Sequence, residues 1–160
     1  MVEDRERDGR RVIRRVSPGE AKSLLDLGYS YVDVRSVEEF RDIHPVGALN
    51  VPIAAAGTSQ PDRDLATPFV EAMSRLFRRD AKIVVGCATG VRSLRAAERL
   101  VEAGFSEVVD QRAGMEGARG PFGNLVEPGW IDAGLPVASG PDEATSAALQ
   151  GKTDAERARS

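Results

Sequence analysis

The chain has 160 residues, with 22 basic and 25 acidic side chains and a formal net charge of -3. That length suits one domain plus tails, with a core large enough to need no staples, and the charge balance gives no reason to expect a nucleic-acid partner. One Cys and one His exclude an intramolecular disulfide framework and a Cys/His zinc site, and no apolar run is long enough to span a membrane.

Residues 1–11 are almost entirely charged or Gly. They read as a flexible N-terminus, because nothing there offsets the entropy of ordering. They also lack the apolar stretch of a secretory signal, and their acids argue against a transit peptide. A cytoplasmic setting with a reduced thiol follows as the expectation. The single domain is placed over 12–138. Val12–Val16 reads as a short strand. Ser17, Pro18 and Glu20 have the layout of a capping box opening a helix over 18–27 that stops at Gly28. Tyr31–Val34 is a β-branched run between turn residues, hence a buried strand. Ser36 and Glu39 form a second capping box, opening a short helix to about Asp42.

Gly47–Pro52 suits an extended segment, and Thr67 is placed as the cap of a helix over 68–78. Ile83–Val85 is the clearest buried strand. A helix over 93–103 follows, with Leu94, Ala97, Leu100 and Val101 on one face and Gly104 as its stop. Glu107–Val109 reads as the last strand, and 111–134 as Gly-rich loop with short helical turns. Residues 139–160 are small and polar, and read as a flexible C-terminal tail. Strands alternating with helices argue for an α/β fold with a mostly parallel sheet covered on both faces.

The chemistry is concentrated in Lys82–Arg95. A buried strand ends at Cys87, and a helix opens just beyond Arg92. This places Cys87 at the carboxyl end of a parallel strand, where open α/β sheets hold their ligands. The backbone N–H groups of Ala88, Thr89, Gly90, Val91, Arg92 and Ser93 can curl into a nest at a helix N-terminus. Such a cradle favours a charged sulfur over a neutral one. Gly90 supplies a position for positive φ. Arg92 can brace the loop through a carboxylate or add positive charge. The competing reading of Cys87 is a small buried hydrophobe at a strand end. The polar residues that follow it, at the mouth of a helix, favour a reactive thiolate.

Three pieces occur in order: Asp33-Val34-Arg35 with Glu39-Phe40, then His44-Pro45-Val46-Gly47-Ala48-Leu49-Asn50-Val51-Pro52, then Cys87-Ala88-Thr89-Gly90-Val91-Arg92-Ser93. Together they resemble the single-domain rhodaneses over about 12–137. The resemblance implies a rhodanese-like parallel sheet with helices on both faces. It also implies a sulfurtransferase that carries sulfane sulfur on Cys87 as a persulfide. The donor is a small molecule such as thiosulfate or a persulfide, and the acceptor a thiol, another nucleophile or a protein. No cofactor, metal, nucleic acid or membrane is called for. The alternatives are a non-catalytic rhodanese-like binding or regulatory module, and a cysteine phosphatase or arsenate reductase. The Cys-x4-Arg spacing is one residue shorter than the Cys-x5-Arg loop of cysteine phosphatases. The absence of a second thiol fits transfer to an external acceptor.

The resemblance further implies supporting roles. Asp33 is expected to accept from Arg92 or from loop N–H groups. Arg35 joins Arg92 and Arg95 as a cation near an anionic donor. Glu39 either closes its capping box or reaches the loop, with the cap favoured. His44 reads as structural rather than catalytic. Met115 either lines the acceptor's approach or packs. Where rhodaneses carry Gly-Gly and then a nearby Trp, this chain has Ala113-Gly114-Met115, and Trp130 arrives only after the extra segment Glu116–Glu127.

Overall fold

A computed structural model of the chain describes residues 5–7, 10–53 and 66–142. Within the stretch expected to be unordered, β1 (Arg5–Arg7) pairs antiparallel with β2 (Arg10–Val12). Ile13 separates β2 from β3 (Arg14–Val16), so the single strand expected over Val12–Val16 is two. Then come α1 (Pro18–Asp26), β4 (Ser30–Asp33), α2 (Val37–Asp42), β5 (His44–Pro45) and β6 (Leu49–Asn50). The second half holds α3 (Ala66–Leu76), β7 (Lys82–Gly86), α4 (Val91–Glu102) and β8 (Glu107–Gln111). Three short strands follow: β9 (Ala118–Arg119), β10 (Leu125–Glu127) and β11 (Val137–Ala138).

Both capping boxes form. The Ser17 hydroxyl accepts from the Glu20 N–H at 3.1 Å, and Glu20 returns the bond to the Ser17 N–H at 3.0 Å. Ser36 and Glu39 repeat the exchange, each bond 3.1 Å long. These pairs satisfy N–H groups that a helix start otherwise leaves open. Thr67 lies inside α3, which begins at Ala66, so it is not the cap expected of it. Its hydroxyl cannot act as an N-cap because the residue is already in helical conformation.

The central sheet has five strands in the order β3-β8-β7-β4-β6, every pair parallel. Successive residues of a strand face opposite sides. Val32, Ile83 and Val85 therefore meet Phe69, Met73, Ala97 and Leu100 of α3 and α4 in one apolar cluster. Tyr31, Val84 and Val109 meet Ala21, Phe40 and Trp130 in a second cluster. Both faces are covered, as a parallel sheet requires. Helix α4 starts two residues earlier than its apolar periodicity shows, because its first turn carries the polar site residues. It ends at Glu102, with Ala103 as its C-cap and Gly104 at φ 99° beyond it.

The segment 111–134 is not only turns. β9 and β10 pair antiparallel, and β11 pairs with β5. Strands of two or three residues leave too little alternation to register against a Gly- and Pro-rich background. Glu107–Gln111 is the last strand of the central sheet but not of the chain. The ordered body also runs past 138. The Ser139 hydroxyl donates to the Asp42 carbonyl at 2.9 Å, the Gly140 N–H to the Arg41 carbonyl at 2.8 Å, and Asp142 accepts from the Asn50 N–H. The rest of the expected tail lies outside the described residues.

Candidate active site

Because β4, β7 and β8 run parallel, the segments that follow them gather at one edge of the sheet. Cys87 follows Gly86, the last residue of β7. It is 1% exposed and packs among Val85, Ala96 and Ala97. Its sulfur nevertheless accepts N–H bonds from Gly90 at 3.1 Å and Ser93 at 3.3 Å, with the Ser93 hydroxyl at 3.4 Å. The thiol is thus buried, as one reading of it requires, and cradled, as the other requires. Two N–H groups are aimed at the sulfur as donors.

The loop is fixed from outside by its carbonyls. The Cys87 carbonyl accepts from the Met115 N–H and the Ala88 carbonyl from the Glu116 N–H, each at 2.9 Å. The Gly90 carbonyl accepts from Arg15 Nη2 at 2.7 Å. No peptide here is cis. In a planar trans peptide the N–H points opposite to the carbonyl, so the N–H groups of Ala88, Thr89 and Val91 are turned away from those anchors. Gly90 takes φ 91°, and a Cβ there would lie 2.0 Å from the Arg112 carbonyl oxygen. Gly114 is held as closely, since its Cβ would meet the Ala88 carbonyl oxygen at 2.3 Å. Only Gly fits either position.

The acidic and basic residues pair differently from expectation. Asp33 accepts from Arg35, not from Arg92. Arg35 Nη2 lies 2.7 Å and Nε 3.0–3.1 Å from its carboxylate, and the Arg35 N–H adds a bond of 3.0 Å. Asp33 is 1% and Arg35 4% exposed, so the pair is a buried structural clasp. Arg35 also donates to the Ile43 carbonyl. The reason is local. Asp33 and Arg35 are two residues apart on one side of the strand end, so the fork closes on itself. Arg92 instead grips Glu39, Nη1 to Oε1 at 2.8 Å and Nη2 to Oε2 at 3.0 Å. Arg92 and the Ser36 N–H together hold the Glu39 carboxyl down to about 2, against the opposing effect of burial. Glu39 thus closes its cap and braces the loop.

His44 stacks on Phe40 with ring centroids 3.7 Å apart, and its Nδ1–H donates to the Phe40 carbonyl at 2.7 Å. Met115 is 1% exposed and packs in the second cluster. The extra segment leaves as the β9–β10 hairpin, and Trp130 returns to the body, its backbone N–H donating to the Gly114 carbonyl at 2.8 Å, its indole N–H to the Pro136 carbonyl at 2.9 Å, and its ring centroid 5.5 Å from that of Tyr31. Two residues near the loop escaped the sequence reading, Arg15 and Asp110; Gln111 stands out there only as more polar than a rhodanese rim would have. The Gln111 side-chain oxygen accepts from the Ala113 and Gly114 N–H groups at 2.9 and 2.8 Å, shaping the turn that holds the Cys87 loop. Polar residues inside β-branched strands, Arg15 beside Val16 and Asp110 after Val109, were the available signal.

The family model for the rhodanese-like domain matches residues 17–119. The chain is 41% identical over 100 residues to "Thiosulfate sulfurtransferase 16, chloroplastic" of Arabidopsis thaliana, covering 62% of this chain and 82% of that one. It is 39% identical over 93 residues to "Thiosulfate sulfurtransferase 18" of the same plant, covering 58% and 68%. Among solved structures it resembles the crystal structure of Rv0390 from M. tuberculosis, with a TM-score of 0.61, 27% identity, and coverage of 79% of this chain and 97% of that one.

Proposed function

The chain belongs to the rhodanese-like domain family, and from that premise we propose that it is a sulfurtransferase with Cys87 as nucleophile and sulfur carrier. The observation that carries this reading is the pair of N–H groups, from Gly90 and Ser93, aimed at the Cys87 sulfur in a loop pinned by its carbonyls. In the first half-reaction the Cys87 thiolate attacks the outer sulfur of a donor such as thiosulfate. The donor's S–S bond breaks and its electron pair leaves with sulfite, while a new S–S bond forms on Cys87. The terminal sulfur of the persulfide is anionic and suits the inward N–H groups of the loop. In the second half-reaction a nucleophilic acceptor attacks that sulfur and regenerates the thiolate. The chain holds a single Cys, so the acceptor comes from outside. A small thiol, cyanide or a protein thiol would each serve. A reducing compartment such as the cytoplasm keeps the lone thiol in the form this cycle uses.

The test is a thiosulfate-to-cyanide transfer assay on the full chain and on Cys87→Ser. We expect sulfite and thiocyanate from the first, and neither from a Cys87→Ser variant with unchanged circular dichroism. Transfer retained in that variant would sink the assignment. No transfer by the folded native chain to cyanide or to thiols, from any sulfane donor, would favour a binding module.

A further inference from the structure

Arg15 and Asp110 lie outside every motif in the sequence, yet they end on the catalytic loop. Parallel register sets Arg15 beside Asp110, and Asp110 beside Val85, two residues before Cys87. Asp110 is fully buried. Its Oδ2 accepts from Arg15 Nε at 2.6 Å. The other end of the same guanidinium, Nη2, reaches the Gly90 carbonyl at 2.7 Å. One planar fork therefore ties a carboxylate of the sheet to a peptide of the loop. Asp110 Oδ1 has no well-formed hydrogen bond, although the Ser93 hydroxyl is near enough to act on the carboxylate. Burial pushes the Asp110 carboxyl up, and Ser93 and Arg15 oppose that push. The charges that act on Asp110 include Arg15 of β3, which favours its carboxylate, and Glu98 of α4, which opposes it.

Building on the sulfurtransferase reading, we propose that Arg15, anchored by Asp110, is a positioning residue that sets the aim of the Cys87 cradle. Its effect passes through one peptide. Fixing the Gly90 carbonyl outward fixes the Val91 N–H in the opposite sense, and it holds Gly90 at a φ from which its own N–H meets Cys87 sulfur. Without the fork, the Gly90 carbonyl loses its Arg15 donor, and the Gly90 N–H, one Cα away on the cradle side, loses a constraint on its aim at sulfur. Nothing in this role requires Arg15 to touch the substrate.

The experiment compares the native chain with Arg15→Lys and with the double variant Arg15→Met/Asp110→Asn. The double variant removes both charges, so it leaves no buried carboxylate unpaired and little change in net field at the sulfur. Arg15→Lys keeps the charge but lacks a fork that spans both oxygens. Three rates are read at neutral pH: alkylation of Cys87 by neutral iodoacetamide, its alkylation by anionic iodoacetate, and persulfide loading from thiosulfate by intact mass. In the folded double variant all three rates should fall by about tenfold. That is less than the roughly hundred- to thousandfold lost when a preorganised donor is deleted outright. The ratio of the two alkylation rates should hold steady, since the local charge does. Arg15→Lys should fall between the two, and it decides the matter alone if the double variant does not fold. Native rates in a folded variant would overturn the proposal. If the native chain alkylates but takes sulfur from no donor, the sulfurtransferase reading fails while the alkylation rates still judge the brace.

Discussion

At the scale of single residues, the loop depends on positions that tolerate little change. Gly90 combines a φ of 91° with a backbone oxygen 2.0 Å from where a Cβ would stand. Gly90→Ala should therefore cost more than the ~1–3 kcal/mol of a strained dihedral alone, as read by urea denaturation, and should slow alkylation of Cys87. Glu39 makes a pH-dependent prediction. Its carboxyl falls from an ordinary 4.5 to about 2 in the fold, chiefly through Arg92. A depressed carboxyl stabilises the fold fully above the unfolded value, and that stabilisation is lost as pH falls through the folded value. The melting temperatures of the native chain and Glu39→Gln should thus differ most above pH 4.5 and converge toward pH 2. The side chain is one-third exposed, so solvent screening keeps the difference small. Parallel melting curves across that range would show that the pair does not contribute. The residue types at this site were legible in the sequence, but their pairing was not. Whether Asp33 takes Arg35 or Arg92 depends on rotamers and strand-end geometry that motif order does not carry.

At the scale of elements, local chemistry wrote most of what could be read. Two Ser-x-x-Glu boxes located the starts of α1 and α2, and the β-branched runs located β4 and β7. These signals are strong because each is satisfied within a few residues. The start of α4 was read late because Val91 and Arg92 serve the loop rather than the apolar face. The β9–β10 hairpin was missed because its strands of two and three residues are too short to show an alternating pattern. Helix α4 carries both burdens, holding the cradle at its first turn and the core along its length. Leu100 is fully buried beneath it. Leu100→Ala should cost ~2–5 kcal/mol by leaving a cavity, measured by denaturant unfolding. A loss under ~1 kcal/mol would mean that α4 is not seated on the sheet as described.

At the scale of the whole molecule, a parallel sheet brings sequence-distant loops to one edge, and the site is a product of that topology. The loop after β7 supplies Cys87, the last residue of β4 and the turn after it supply the Asp33–Arg35 clasp, α2 supplies Glu39, and β8 leads into the turn that pins the Cys87 loop. Arg15 joins from the edge strand β3, two strands away from β7. A local pattern marks Arg15 and Asp110 only as polar residues inside β-branched strands; their pairing with each other and with the loop shows once the strands are in register. The central claim is that this edge exists to hold sulfur on Cys87. Its most direct test is intact mass of the full chain after incubation with thiosulfate under non-reducing conditions. The expected result is a gain of one sulfur atom, removed by added thiol and absent in Cys87→Ser. No gain from thiosulfate, mercaptopyruvate or glutathione persulfide, with the chain folded, would contradict it.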